Sequence, residues 1–469
     1  MPKIQKITSD NRAQMMLEAP LNQIIPRLAI PTIISMLITA VYNMADTYFV
    51  SQISTEASAA VGVIFSAMAI FQAIAFMIGM GSGTNLSRAL GRGDTEATKT
   101  YVSCGFFIAL ILGLLILIAG RLNIHPIVRF LGATDEIEPD AIAYATYIFY
   151  AAPFMMCSFA MNNLLRFQGM AMYSMVGISL GGILNVFLDP LLIFGFGLGT
   201  AGAAIATALS QFVSFLILLF MCNTRKNTIS ISVSAFKPTP RVVGNILYNG
   251  FPSLGRQGIA SVATILINRV AGTISNDPAV ISATIASISI VNRFVMFINS
   301  AVIGFGQGFQ PVCGFCYGAG RYDRVREAYR FCVKVATVIL LVLAAIAMIF
   351  SSSIIRFFRA DDPIVVEIGT FTLRLQLLSL PLWGLYVMSN MCTQSIGYGF
   401  TSTLVSSARQ GIFLIPTVLI LPRLFGLFGL QIAQPVSDVL AFLFALFIMR
   451  RVMRDLKEKE MRRNEPKTE

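Results

Sequence analysis

The chain has 469 residues, of which 56% are hydrophobic and only 12% charged; soluble domains carry about 25% charge, so a single soluble globule is excluded. Seven cysteines are too few and odd in number for a secreted disulfide scaffold, and one histidine leaves little room for a histidine-built metal centre. A net charge of +12 would suggest nucleic acid in a soluble protein, but here the placement of the basic residues matters more, and the composition is that of a polytopic integral membrane protein.

Residues 1–27 are polar, with Lys3, Lys6, Arg12 and Arg27 among a few acids. No short apolar core with a small-residue cleavage site precedes the first long apolar run, so no removable signal peptide is expected. Runs of about 20 apolar residues cross a bilayer, and twelve are expected. The first six lie near 28–50, 58–83, 100–120, 141–164, 174–196 and 201–222. Six more lie near 246–271, 280–307, 331–352, 366–391, 401–422 and 426–449. The long polar connection at 223–243, with Arg225, Lys226, Lys237 and Arg241, reads as the linker between halves 28–222 and 244–450. Residues 451–469 form a charged tail read as a solvated helix end.

Basic residues set orientation. On the side of the N-terminus, 26 lysines and arginines fall in ends and loops, with Arg166 and Arg409 counted among them. The opposite loops hold five: Arg121, Arg129, Arg356, Arg359 and Arg423. Arg256, Arg269, Arg293 and Arg374 fall within or at the ends of spans. This imbalance predicts an even number of spans with both termini cytoplasmic.

The halves repeat. Pro153, Asn162 and Gly169 recur as Pro381, Asn390 and Gly397, shifted by 228. Gly199-x-x-Gly202-x-x-Ile205-Ala206 recurs as Gly426-x-x-Gly429-x-x-Ile432-Ala433, shifted by 227. Gly81-x-Gly83 and Gly306-x-Gly308 add a weaker match at 225. Transporters are often built from such duplications, and the expectation is two six-helix lobes of parallel topology.

Ionisable residues at membrane depth are costly and therefore functional candidates. In the first half they are Asp46, in the first span, and Asp189, in the fifth, four residues after Asn185. A spacing of four puts amide and carboxylate on one helical face, where they offer oxygen ligands to a hard cation or a proton site. Capping or pinning of neighbouring helices is the plain alternative. Thr207 opens the sixth span with a hydroxyl, which commonly bonds only its own helix. Asp438 is the second half's acid, for which pairing with Arg256, Arg269 or Arg293 stands beside a transport role. Tyr144, Tyr147 and Tyr150 recur at intervals of three, as a shared stripe or an interfacial belt. The 22 Met and 36 Phe suit an adaptable cavity, although most must face lipid or pack between helices.

Other patterns are decoys. Gly197-Leu-Gly199-Thr-Ala-Gly202 fits a dinucleotide fingerprint but joins two membrane spans, with no acid at the required distance. Cys313-Gly-Phe-Cys316 is a lone CxxC, and His125 lies in an outer loop. No Walker A sequence is present, so energy must come from an ion gradient or a partner subunit.

The chain resembles the multidrug and toxic compound extrusion (MATE) family along residues 20–450. The likeness rests on Tyr42-Asn43-x-x-Asp46, Ser87-Arg88-Ala-Leu-Gly91 and Leu165-Arg166-Phe-Gln-Gly169. It also rests on Asn185-x-x-x-Asp189, Gly202-Ala-Ala-Ile-Ala-Thr207 and Gln310-Pro311. The resemblance implies twelve helices in two lobes around a cavity alternately open to each side. It implies export of bulky organic cations or amphipathic drugs against inward H+ or Na+, by a monomer in a bacterial-type cell membrane. No other cofactor, no metal beyond that Na+ and no nucleic acid are implied. The family's first-lobe cation site maps onto Asp46, Asn185, Asp189 and Thr207, and a helix-four Tyr nine residues before the Pro maps onto Tyr144. Ala260, not Glu, stands eight residues after Pro252, so the chain is closer to the DinF and MepA-like branch than to the NorM branch.

Asp46 and Asp189 are expected to hold the coupling cation or the positive charge of the substrate. Asn43, Tyr144, Asn162, Gln257, Asn268 and Asn390 are candidates for the substrate cavity, and Pro31 for a bend in the first helix. The alternative function is a lipid-linked saccharide flippase or polysaccharide exporter, with arginines in the cavity to meet a pyrophosphate. A membrane-embedded enzyme is the remote one.

Overall fold

The computed structural model describes residues 9–224, 229–274, 277–359 and 362–464. Lys3, Lys6, Arg225 and Lys226, and the last five residues of the tail, lie outside the described residues. Nearly everything described is helix. A short α1 (Ser9–Glu18) precedes α2 (Leu21–Ser51), α3 (Thr55–Arg92) and α4 (Thr95–Leu122). There follow α5 (Ile124–Phe130), α6 (Glu138–Phe167), α7 (Ala171–Pro190) and α8 (Gly199–Thr224). The second half begins with α9 (Pro240–Ala271), α10 (Pro278–Gly318), α11 (Tyr322–Ile349) and α12 (Ser351–Phe358). It ends with α13 (Pro363–Ser379), α14 (Trp383–Ser395), α15 (Gly399–Ser407) and α16 (Leu414–Asn464).

Among the described residues, ten helical segments are long and apolar enough to cross a membrane. The last of them, from Gly399 to Arg463, is two spans, broken where Gly426 takes φ +55° and ψ −133°. The twelfth span is α9, which is less apolar because Arg241, Asn245, Asn249, Arg256, Gln257 and Arg269 lie along it. The chain is therefore an all-α membrane protein of twelve spans in two six-helix lobes.

Several helices outrun their apolar stretches, because polar residues continue a helix once its ends are capped. Asp94 accepts a hydrogen bond from the Ala97 amide at 2.9 Å, and Asp277 from the Ala279 amide at 2.9 Å. α10 thus runs 41 residues, to Gly318 rather than 307, and α16 extends as helix to Asn464. The short helices α1, α5 and α12 are not apparent in the hydropathy pattern. The 223–243 connection is also shorter than expected, since α9 starts at Pro240.

The duplication is visible in the backbone. Gly169 and Gly397 have φ +78° and +90°, Gly93 and Gly320 both +73°, and Gly199 and Gly426 +54° and +55°. Asn162 donates to the Ser174 carbonyl and hydroxyl at 3.1 and 2.6 Å. Its counterpart Asn390 donates to the Ser402 carbonyl and hydroxyl at 3.0 and 3.2 Å.

The halves meet along α2 with α10 and α3 with α9. Two glycines make the second contact possible. A Cβ at Gly81 would lie 1.9 Å from the Ile246 carbonyl oxygen, and one at Gly250 1.9 Å from that of Met77. Thr32 donates to the Gly304 carbonyl at 2.6 Å, and Arg166 to Gln307 Oε1 at 2.5 Å. Arg88 reaches the Ile396 carbonyl at 3.1 Å. These contacts join the two halves.

Candidate functional site

The geometry of α7 begins with small residues. Gly177 and Gly181, four apart, face α8: a Cβ at Gly181 would meet Ser214 Oγ at 1.9 Å, and one at Gly177 would meet Leu218 at 2.3 Å. This is the small-xxx-small approach that brings membrane helices together. On the adjacent stripe, a Cβ at Gly182 would meet the Tyr42 ring of α2 at 2.8 Å. Hence α7 is wedged between α2 and α8. Asn185 and Asp189 continue the Gly177–Gly181 series at intervals of four.

Asn185 Nδ2 donates to Asp189 Oδ1 at 3.1 Å and lies 3.4 Å from Thr207 Oγ1 on α8. Asp46 on α2 is close enough for its charge to act on Asp189, and both act on Tyr144 of α6. All five side chains are buried. Asp46 Oδ1 and Asp189 Oδ2 are buried without any hydrogen-bond partner. Immediately after Asp189, Pro190 is followed by a π-helical turn at Leu191–Gly195, a local widening often found at functional sites. Four helices thus deliver two carboxylates, an amide, a hydroxyl and a phenol to one place. Two orphaned carboxylate oxygens beside amide and hydroxyl oxygens suit a proton or a hard cation such as Na+.

A cavity of about 330 Å³ lies between the halves, with Asn43, Asn162, Gln257 and Asn390 on its wall. Phe76 and Phe159, with ring centroids 5.0 Å apart, and Met36 and Met296 supply apolar surface. Most of the Met and Phe complement lies elsewhere. Thr32 and Arg166, which make cross-half bonds, also line the cavity.

Two of the cavity assignments change. Tyr144 does not line the cavity: it is fully buried beside the acids, with its hydroxyl 3.8 Å from Met68 Sδ. The tyrosine stripe divides because three residues fall short of one helical turn; Tyr150 is exposed beneath Arg121, whose guanidinium sits 5.3 Å from the ring. Asn268 is exposed near the end of α9, away from the cavity. Pro31 is buried within α2, which runs unbroken through it.

The arginines change most. Arg166 and Arg409 were assigned to loops, but Arg166 is 1% exposed inside α6 and Arg409 lies in a π-helical segment, Ala408–Phe413. The basic imbalance therefore becomes 24 against five. Asp438 pairs with Arg409 (Nε to Oδ1, 2.7 Å) and not with Arg256, Arg269 or Arg293. It also accepts from Ser379, Trp383 and Gln434 at 2.7 to 2.9 Å. Arg409 in turn stacks on Trp383, 3.7 Å from the ring centroid. Arg269 and Arg293 are exposed. Arg256, Arg166 and Arg409 line the cavity and no carboxylate does, among the described residues. Sequence reasoning missed this convergence because Arg166 and Arg409 sit near helix ends in the hydropathy pattern.

Among the described residues no group of three or more potential metal ligands of the His, Cys, Asp and Glu type occurs. Cys313 and Cys316 are buried free thiols. His125 is exposed and meets Glu138 at 3.2 Å.

The MatE family model matches residues 31–191 and 254–420. The chain belongs to the MATE family. It is 27% identical to the multidrug export protein MepA of Staphylococcus saprophyticus, over 90% of this chain and 92% of that one. MepA of Staphylococcus aureus is also 27% identical, over 92% and 94%. The MepA-like resemblance read from the sequence is therefore correct. An outward-facing multidrug-resistance MATE transporter of the MOP superfamily superposes with TM-score 0.89 at 27% identity, covering 97% of this chain and all of that one. A MOP-superfamily transporter from Pyrococcus furiosus gives 0.87 at 27% identity, over 97% and 99%. These relatives are transporters.

Proposed function

We propose that this MATE protein is a secondary active exporter of bulky amphipathic drugs, driven by H+ or Na+ entering at Asp46 and Asp189. The observation that carries the reading is the pair of buried carboxylates with orphaned oxygens, one helical turn beyond Asn43 on the cavity wall. Asn185 and Thr207 complete the cation site, and Tyr144 bounds it. The relatives named as multidrug export proteins support the substrate class.

With 24 basic residues on one side, the termini are cytoplasmic, in a bacterial-type cell membrane. The Thr32–Gly304 and Arg166–Gln307 bonds tie the two halves together, and alternating access requires them to part. Coupling runs through α2. Its Met36, Thr39 and Asn43 form cavity wall and Asp46 lies one turn further, so a cation at the carboxylates and a molecule in the cavity act on the same helix. Pro26 and Pro31 remove two backbone donors from α2 and lower the cost of bending it. The chain works as a monomer and needs no cofactor besides the coupling ion.

Purified protein in liposomes tests this reading, with pH and Na+ gradients imposed separately and drug-like dye efflux followed. One gradient should drive efflux in the wild type, and Asp189→Asn should abolish the drive. Efflux by Asp189→Asn equal to wild type under that gradient would sink the proposal.

A further inference from the structure

Arg256 projects from α9 at the cavity wall, half-buried, and makes no hydrogen bond or ion pair with any described residue. Arg166, 1% exposed, is held by Gln307 and Asn163, both neutral, and its Nε is buried without a partner. Both guanidinium-bearing residues line the same cavity. Arg409 joins them from the second half; its countercharge, Asp438, is only 1% exposed and lies behind it rather than on the wall.

A low-dielectric chamber that gathers three guanidinium groups, of which only Arg409 is balanced by a carboxylate, is costly while empty. The cost is offset when an anion enters. Guanidinium offers forked donors matched to carboxylate, sulfonate or phosphate oxygens. An organic cation would instead meet like charge. The surrounding Gln257, Asn390 and Asn162 add neutral polar contacts, while the Phe76–Phe159 pair and Met36 supply an apolar face. We infer that the cavity selects amphipathic organic anions, with Arg256 taking the anionic group, in contrast to the organic cations implied by family resemblance.

This rests on the export reading for its direction of transport, but binding can be measured without a gradient. The probes are two xanthene dyes of one skeleton, the monoanionic fluorescein methyl ester and a monocationic rhodamine methyl ester. Each is titrated by fluorescence polarisation into full-length protein in a non-ionic detergent. The wild type should bind the anion at least about tenfold more tightly than the cation. Arg256→Gln should weaken the anion about tenfold and leave the cation unchanged or tighter, whereas Arg256→Lys should keep most of the preference. Size-exclusion chromatography of each variant separates lost binding from lost folding. Absent anion binding, equal affinities, a cation preference, or an anion preference indifferent to Arg256→Gln in a monodisperse variant would each overturn the inference.

Two competitors distinguish the source of the anion. Displacement of the dye by dihexanoyl phosphatidylglycerol assigns a lipid headgroup, displacement by naphthalene sulfonate assigns a free solute, and displacement by neither overturns the inference. Charge-selective binding in detergent with no gradient-driven movement in liposomes would defeat the export reading alone.

Discussion

Asp189 in α7 and Asp438 in α16 are both buried acids, yet their surroundings differ in kind. Asp438 has an arginine, an indole, an amide and a hydroxyl around it, and both its oxygens are bonded. Asp189 has one amide donor and an orphaned oxygen, with a second unpaired acid, Asp46, nearby. At the internal shift of 228, Asp189 falls on Thr417, whose hydroxyl is spent on backbone carbonyls, among them Ala433 at 3.2 Å. One half of the duplicated fold leaves its acid with an oxygen that no described residue bonds. The other uses its acid to hold an arginine in place.

That contrast can be broken experimentally, starting from the largest effect. Asp438→Ala should cost about 3–5 kcal/mol, because it strands the Arg409 guanidinium in a poorly solvated site. Thermal unfolding in detergent should show a large fall, partly restored by Arg409→Met in the same chain. Gly181→Val should cost about 1–3 kcal/mol by overpacking, since even its Cβ would collide with Ser214. It should also lower ion-driven efflux in liposomes by moving α7 off α8. Asp189→Asn should behave oppositely to Asp438→Ala, leaving the unfolding temperature unchanged or raised while removing ion-driven transport. If instead it lowers stability as far as Asp438→Ala does, the two acids share a structural role.

The smallest effect sharpens the symmetry. Asn162→Ala and Asn390→Ala each remove two equivalent bonds to a serine twelve residues on, so each should cost about 1 kcal/mol in unfolding measurements. A marked inequality would show that the matching geometry serves different purposes in the two halves.

Much of this was legible in the sequence. The run lengths of apolar residues gave the spans, and three recurring patterns gave the duplication, because a membrane helix must satisfy its own backbone and shows its period directly. The Asn185–Asp189 spacing placed two side chains on one face for the same reason. Helix ends were less legible, since a helix continues past its apolar stretch wherever caps allow. Arg409 and Arg166 looked like loop residues because charge near the end of an apolar run normally marks the membrane boundary. Tyr144 lies off the cavity wall, because an interval of three does not show which tyrosine faces which neighbour.

The sequence by itself determined that the chain spans a membrane many times, that it is built twice from one plan, and which two first-half acids lie within its spans. Those are consequences of local hydropathy, helical period and repetition. Only the tertiary structure decided which charges meet. Asp46 joins Asp189 because Gly182 lets α2 and α7 touch, Asp438 chooses Arg409 from among several arginines, and Arg166, Arg256 and Arg409 converge on one cavity. Each of these depends on how helices distant in the chain pack together, which no local pattern records.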